Sequence, residues 1–73
     1  MTALVLLLKD LDEKTRSNAA AALGNLARNS EELDLEFVRT GAVLQLVNMI
    51  TNDKSLPAKR VSIMAITNLL GLK

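Results

Sequence analysis

The side chains capable of chemistry in this sequence are carboxylates, hydroxyls, amides and cationic groups, since it contains no cysteine and no histidine. Its carboxylates form two groups, Asp10, Asp12 and Glu13, and Glu31, Glu32 and Asp34. Neither group has the ligand spacing or the glycine of a calcium loop, so we interpret both as capping and solvated residues. Thr15, Ser17 and Thr40 have no histidine or cysteine partner to activate them. The sequence therefore predicts no catalytic residue, no metal site and no cofactor, and so no enzyme.

Charge and hydropathy narrow the class of partner. Nine basic and eight acidic residues give a net charge of +1, and the two signs are interspersed. Nucleic-acid binding needs a concentrated basic surface, so we expect no nucleic-acid partner. The apolar run at 3–8 is far shorter than the roughly 20 residues that span a bilayer, and no basic region precedes it as in a signal peptide. The lack of cysteine is compatible with the cytosol, so we expect an intracellular, cytoplasmic protein without a membrane partner.

The apolar spacing predicts five helices and no strand, over 2–9, 13–28, 31–39, 42–51 and 56–70. Asp10 or Asp12 is expected to cap the second helix, and Gly41 to supply a left-handed turn before the fourth. Pro57 suits the first turn of the fifth helix. The predicted core residues of the second and fifth helices are Ala19, Ala20, Leu23, Leu26 and Ala27, and Ile63, Ile66, Leu69 and Leu70. The third helix is expected to bury some combination of Leu33, Leu35, Phe37 and Val38. The predicted core residues of the fourth helix are Val43, Leu46, Val47 and Ile50.

Two stretches of the chain repeat. AALGNLA at 21–27 aligns with MAITNLL at 64–70 at a spacing of 43 residues, which superposes Asn25 on Asn68. LVLLL at 4–8 aligns with LVNMI at 46–50 at a spacing of 42 residues. A helical repeat with a period near 40 indicates a solenoid built from stacked units.

The order of helices resembles the armadillo repeat, in which a glycine separates a short first helix from the second and the third ends in Asn-Leu. Gly41, Asn25-Leu26 and Asn68-Leu69 carry this resemblance. It implies an all-α, right-handed armadillo-like solenoid of less than two repeats, with helices 2 and 3 of one repeat at 1–30 and a full repeat at 31–73. HEAT repeats share the architecture, but the glycine turn and the extra short helix favour armadillo.

A narrower resemblance covers DEKTRSNAAAALGNLARNS at 12–30. This stretch is similar to the C-terminal helical-repeat region of Fused-type serine/threonine kinases. The chain has no glycine-rich nucleotide loop and no catalytic-loop motif. The resemblance therefore implies a non-catalytic part of a kinase tail.

The armadillo resemblance also implies a protein-binding groove along the third helix of each repeat. The residues that fall on this face are Asn18, Ala21, Asn25 and Arg28, and Val61, Met64 and Asn68. In the family the asparagine holds the backbone of an extended peptide, a task that suits its amide because the group both donates and accepts. The alternative for each asparagine is a local cap or a solvated side chain.

Three of these groove residues, and Arg60 outside the list, are interpreted separately. The import adaptors of the family carry a tryptophan where this chain has Ala21 and Met64, so recognition of basic import signals is not expected. Arg28 and Arg60 suit either an acidic partner or solvent. Met64 is either a groove contact or packing filler.

The sequence thus predicts a scaffold segment that binds a protein or peptide. Repeat units need neighbours to bury their apolar faces, so we also expect self-association through exposed repeat ends. The alternatives are a structural segment that supports a neighbouring domain, and a free-standing bundle that forms a two-fold dimer.

Overall fold

The chain folds into five α-helices in a computed structural model that describes residues 1–71. The helices are α1 (Thr2–Leu7), α2 (Glu13–Asn29), α3 (Asp34–Arg39), α4 (Ala42–Asn52) and α5 (Leu56–Leu69), and a single 3₁₀ turn (Glu31–Leu33) precedes α3. No strand occurs in the described part of the chain. The predicted all-α fold of five helices is therefore confirmed. The ends of the helices lie within about two residues of the predicted ones, except that α3 begins at Asp34 because Glu31–Leu33 forms the 3₁₀ turn.

Side-chain caps fix where the two long helices begin. Asp12 accepts a hydrogen bond from the Thr15 amide (3.1 Å) at the start of α2, and Ser55 accepts one from the Ala58 amide (3.3 Å) at the start of α5. Asp10 does not cap α2, because its carboxylate accepts the Asp12 amide instead (2.9 Å). Each cap satisfies an amide that has no partner within the helix.

Gly41 makes the turn that separates α3 from α4. Its φ of 82° lies in the left-handed region, as the sequence predicted. A Cβ atom there would meet nothing within 4 Å, so the preference for glycine comes from the backbone conformation and not from crowding.

The core lies mainly between α2, α4 and α5, and the most extensive contact is between α2 and α5. Small residues allow these two helices to approach closely. The buried apolar residues are Val5, Leu8, Ala19, Ala20, Leu23, Ala27, Phe37, Ala42, Leu46, Met49, Ala58 and Ala65.

Several core predictions for the later helices were wrong. Ile63 and Leu70 are half or more exposed, and the buried side of α5 is formed by Ala58, Ser62, Ala65 and Asn68 instead. In the short third helix only Phe37 is fully buried, while Leu35 and Val38 are exposed. In α4, Val47 is partly exposed and Met49 is buried in its place. Helical periodicity identifies an apolar face, but which face a neighbouring helix covers depends on tertiary packing.

Candidate functional site

The α2 half of the predicted groove is accessible. Asn18, Asn25 and Arg28 are exposed, and Ala21 between them is half-buried. The Asn25 side-chain amide makes no hydrogen bond with any residue in 1–71, although its main-chain carbonyl accepts one from the Asn29 side chain (2.9 Å). Asn25 therefore presents both a donor and an acceptor at the surface of α2.

The α5 half of the groove is more enclosed. Val61 is half-buried and Met64 is exposed, whereas Asn68 is only 9% exposed. Asn68 donates from Nδ2 to the Gly24 carbonyl of α2 (3.1 Å), and Met64 Sδ lies 3.7 Å from the same nitrogen. The sequence placed Asn68 on the face away from the core, but in the structure its amide joins α5 to α2.

Gly24 provides the space for this contact between α2 and α5. A Cβ atom at Gly24 would lie 2.7 Å from Met64 Cε and 3.2 Å from Ala65 Cα. The absence of a side chain thus brings Met64 and Asn68 of α5 next to the α2 residues of the predicted groove. The two helix faces therefore lie side by side, with Asn25 outside the contact and Asn68 inside it.

The structure also contains an ion pair between residues 1–30 and residues 31–71, the two units that the sequence predicts. The sequence analysis did not predict this pair. The Arg16 guanidinium of α2 binds the Asp53 carboxylate of the α4–α5 connection through two hydrogen bonds, Nε to Oδ2 (2.7 Å) and Nη2 to Oδ1 (3.1 Å). Arg16 Nη1 also donates to the carbonyls of Asp10 and Leu11 (both 3.0 Å). Such a two-point arrangement fixes orientation as well as distance.

The electrostatic effect of this pair is seen in both partners. The hydrogen bond from Arg16 holds the pKa of the Asp53 carboxyl below its ordinary value, and the same bond raises the pKa of Arg16. The Asp53 side chain is almost fully buried and that of Arg16 is mostly so, which limits screening by solvent. The sequence did contain a sign of this ion pair, because the acid and the base both recur in the repeat. Asp10 precedes Asp53 by 43 residues, and Arg16 precedes Lys59 by the same number.

A hydrogen-bonded group beside the ion pair reinforces the same junction. The Glu13 carboxylate of α2 accepts hydrogen bonds at Oε1 from Ser55 Oγ (2.6 Å) and from Ser17 Oγ (3.2 Å). Glu13, which the sequence assigned to a solvated acidic group, therefore takes part in joining the two units.

Two further features were sought in the described part of the chain. Residues 1–71 contain no group of three or more acidic side chains placed to hold a metal ion. No helix among these residues is long and apolar enough to cross a membrane.

Comparison with known proteins agrees with this architecture. Residues 1–28 match the model of the armadillo/beta-catenin-like repeat family. The chain is also 38% identical over 52 residues to the serine/threonine-protein kinase TIO of Arabidopsis thaliana, an alignment that covers 67% of this chain and 4% of the kinase. No solved structure matches the chain.

These findings confirm the predicted resemblances to armadillo repeats and, locally, to a serine/threonine-protein kinase. The chain spans about 4% of the length of the kinase that it matches. The armadillo repeat is a helical scaffold that generally binds proteins, so the class of partner it indicates is another protein. Neither match identifies a particular partner.

Proposed function

We propose that this chain is a non-catalytic segment for protein interaction, which binds an extended peptide along the exposed side of α2. The observation that supports this proposal is Asn25, whose amide lies at the surface with its donor and acceptor unused by residues 1–71. Ala21 next to it is small, so a peptide main chain has room to approach. Asn18 and Arg28 extend the polar face along the same helix.

The structure alters the part assigned to α5 in this binding mode. Asn68 donates from Nδ2 to the Gly24 carbonyl. We therefore propose that Asn68 positions α5 beside the groove and that it does not donate to the peptide. Met64 and Val61 supply apolar contact at the edge, since the flexible thioether of methionine adapts to irregular surfaces. We further propose that the two repeat units comprise 1–30 and 31–73, and that the protein is intracellular and cytoplasmic.

Selection from a display library of unstructured peptides, followed by affinity measurements, tests peptide binding. A selected peptide should bind the Asn25→Ala variant about tenfold more weakly, the effect of losing one well-formed amide contact. Glu32→Ala, on the exposed 3₁₀ turn, is the matched control and should leave affinity unchanged. Failure to select any peptide, or equal affinity for the wild type and Asn25→Ala, would overturn the proposal.

A second candidate function is a structural solenoid segment that supports a neighbouring domain, such as a kinase domain, or that associates with itself. Two observations favour it. The contacts Arg16–Asp53 and Asn68–Gly24 join residues 1–30 to residues 31–71. Apolar side chains including Leu7 and Val47 are partly exposed at the outer surfaces of the two units. Self-association without peptide binding would support this candidate over the first.

A further inference from the structure

Two methionines of this chain, one in α4 and one in α5, lie in opposite environments. Met49 of α4 is 3% exposed, whereas Met64 of α5 is 37% exposed. The sulfur of each accepts a hydrogen bond, Met49 Sδ from Ser62 Oγ (3.6 Å) and Met64 Sδ from Asn68 Nδ2 (3.7 Å). The two residues therefore differ mainly in their access to a reagent dissolved in water, and Met64 is the accessible one.

Met64 also takes part in the contact between α2 and α5. Its Cε lies beside Gly24 of α2, and a Cβ atom at Gly24 would lie only 2.7 Å from it. Gly24 itself is buried. The methyl end of Met64 therefore fills the space that Gly24 leaves between the two helices, as close packing of the interior requires.

The Asn68 amide connects the sulfur of Met64 to the carbonyl of Gly24. Its nitrogen donates to the Gly24 carbonyl oxygen (3.1 Å) and to Met64 Sδ (3.7 Å), and it carries two hydrogens, one for each acceptor. Asn68 is buried, so its amide has little access to water as an alternative partner. A chemical change at the sulfur therefore acts on the hydrogen bond that joins α5 to α2.

The position of Met64 stays accessible when another helix packs alongside. Ala21 of α2 is its equivalent 43 residues earlier in the sequence. Although α5 packs extensively on α2, Ala21 remains only half-buried. A helix that packed on α5 in the same way would therefore leave Met64 within reach of solvent.

We propose that Met64 is a site of reversible oxidation by hydrogen peroxide, and that its sulfoxide loosens the contact between α2 and α5. The oxygen–oxygen bond of the peroxide breaks as one oxygen atom forms a bond to Met64 Sδ, and the other oxygen leaves as water. Sulfur loses two electrons and the peroxide gains them, so no other reactant is needed. The effect needs neither a bound peptide nor a second copy of the chain.

Oxidation changes both the shape and the polarity of the group beside Gly24. The sulfur becomes a polar, chiral centre, and the sulfoxide exists as two epimers. In one epimer the new oxygen is directed at Asn68 Nδ2, and a separation of 3.7 Å between sulfur and nitrogen leaves no room for it without a shift. In the other epimer the sulfur carries partial positive charge and no longer accepts from Asn68. Either epimer therefore disturbs the amide that joins α5 to α2.

Burial protects Met49 from the same reaction, because peroxide reaches its sulfur only when the core opens. The change at Met64 is also reversible. Methionine sulfoxide reductases return the sulfoxide to the thioether, with one enzyme for each epimer. Exposure to peroxide and reduction thus switch one contact of the fold between two states.

Timed treatment of the folded protein with hydrogen peroxide, followed by peptide mass spectrometry, measures where oxygen is added. Trypsin cleaves after lysine and arginine, which places Met1, Met49 and Met64 in three different peptides. Met64 should be oxidised at least about tenfold faster than Met49, because its side chain is the more exposed of the two. Equal rates at Met49 and Met64 would overturn the proposal.

Urea unfolding of the reduced and the oxidised protein measures the loosening of the contact. Oxidation of the wild type should raise the equilibrium constant for unfolding about tenfold, because a larger and more polar group must fit beside Gly24. Treatment with both classes of sulfoxide reductase should restore the original value. Unchanged unfolding of a protein whose Met64 is oxidised would contradict the proposed effect on α2 and α5.

Two variants separate Met64 from the other methionines. Met64→Leu keeps a similar apolar volume but cannot take up oxygen, so peroxide should leave its unfolding unchanged. Met64→Gln carries a polar oxygen near the end of the side chain and should unfold like the oxidised wild type without any peroxide. An equal loss of stability in peroxide-treated Met64→Leu would show that the effect comes from another residue.

The side-chain amide of Asn68 reports on the contact directly. Its two Nδ2 protons give signals in a nitrogen–proton NMR spectrum, which are assigned by their absence from Asn68→Ala. These signals should move on oxidation of the wild type and should keep their positions in peroxide-treated Met64→Leu. Signals that do not move in the oxidised wild type would show that the sulfoxide leaves the amide undisturbed, which would overturn the proposed mechanism.

Discussion

At the scale of single residues, the two equivalent asparagines have different surroundings in the same chain. Asn68 is buried and donates to the Gly24 carbonyl, whereas Asn25 is exposed. The difference arises because α2 lies beside α5, while no described helix lies beside α2 on the Asn25 side. Two asparagines that are 43 residues apart therefore differ in their surroundings: Asn68 stabilises the packing of α5 on α2, and Asn25 lies at the surface.

This difference predicts unequal effects on stability. Asn68→Ala should lower the free energy of unfolding by about 0.5–1.5 kcal/mol, because the hydrogen bond from α5 to the Gly24 carbonyl of α2 is lost. Asn25→Ala should change it by less than about 0.5 kcal/mol, as for an exposed residue without partners. Urea unfolding of both variants, at a concentration where the protein is monomeric, measures the difference.

Asn68→Asp sharpens the test, since aspartate keeps the shape of the side chain but its ionised form cannot donate to the carbonyl. It should be at least as unstable as Asn68→Ala. Equal stability of the Asn68 and Asn25 variants would show that the hydrogen bond to Gly24 contributes nothing.

At the scale of elements, the connections determine how the helices meet. Asp12 and Ser55 cap the two long helices, and Ser55 also donates from Oγ to the Glu13 carboxylate of α2. Gly41 ends the short helix and starts α4 through its left-handed backbone. The turn lets Phe37 of α3 enter the core while α4 runs in a new direction.

Replacement of Gly41 tests this turn. Gly41→Ala should lower the free energy of unfolding by about 1–2 kcal/mol, because an L-residue is disfavoured at a φ of 82°. Space is open around the site, so the cost is conformational and not steric. Gly41→Asn should lose less, because asparagine tolerates the left-handed region better than alanine does. Thermal unfolding by circular dichroism compares the two, and equal losses would contradict the explanation.

At the scale of the whole molecule, stability depends on the junction between residues 1–30 and residues 31–71. The α2–α5 contact supplies the apolar part of this junction, and Arg16, Asp53, Glu13 and Ser55 supply the polar part.

The polar part of the junction predicts a dependence of stability on pH. The pKa of Asp53 is lower in the folded than in the unfolded protein. Its contribution to stability is therefore complete above the unfolded-state pKa of about 4, and it is lost as the pH falls through the lower folded-state pKa. At pH 7 Asp53→Asn should lower the free energy of unfolding by about 1.5–3 kcal/mol, the range for hydrogen bonds to charged groups.

The difference between the wild type and Asp53→Asn should remain constant from pH 7 to about 5 and shrink below about pH 4. Urea unfolding at several pH values measures it. Asp12, whose pKa is also lowered by its hydrogen bonds with Thr15, is present in both proteins, so its contribution cancels in the difference. A difference that persists or grows in acid would contradict the assignment to the ionised carboxylate.

The sequence by itself determined the number and order of the helices, the left-handed Gly41 turn and the repeat that relates Asn25 to Asn68. These features depend on local conformational preference and on periodicity, which the chain encodes over a few residues. The tertiary structure alone decided which apolar faces are covered, so that Met49 and Ala65 are buried while Val47 and Ile63 are partly exposed. It alone decided that Asn68 binds a carbonyl of the neighbouring helix. Burial and hydrogen-bond partners across helices depend on residues far apart in the chain, 44 positions for Asn68 and Gly24 and 37 for Arg16 and Asp53. No local pattern specifies how such residues meet.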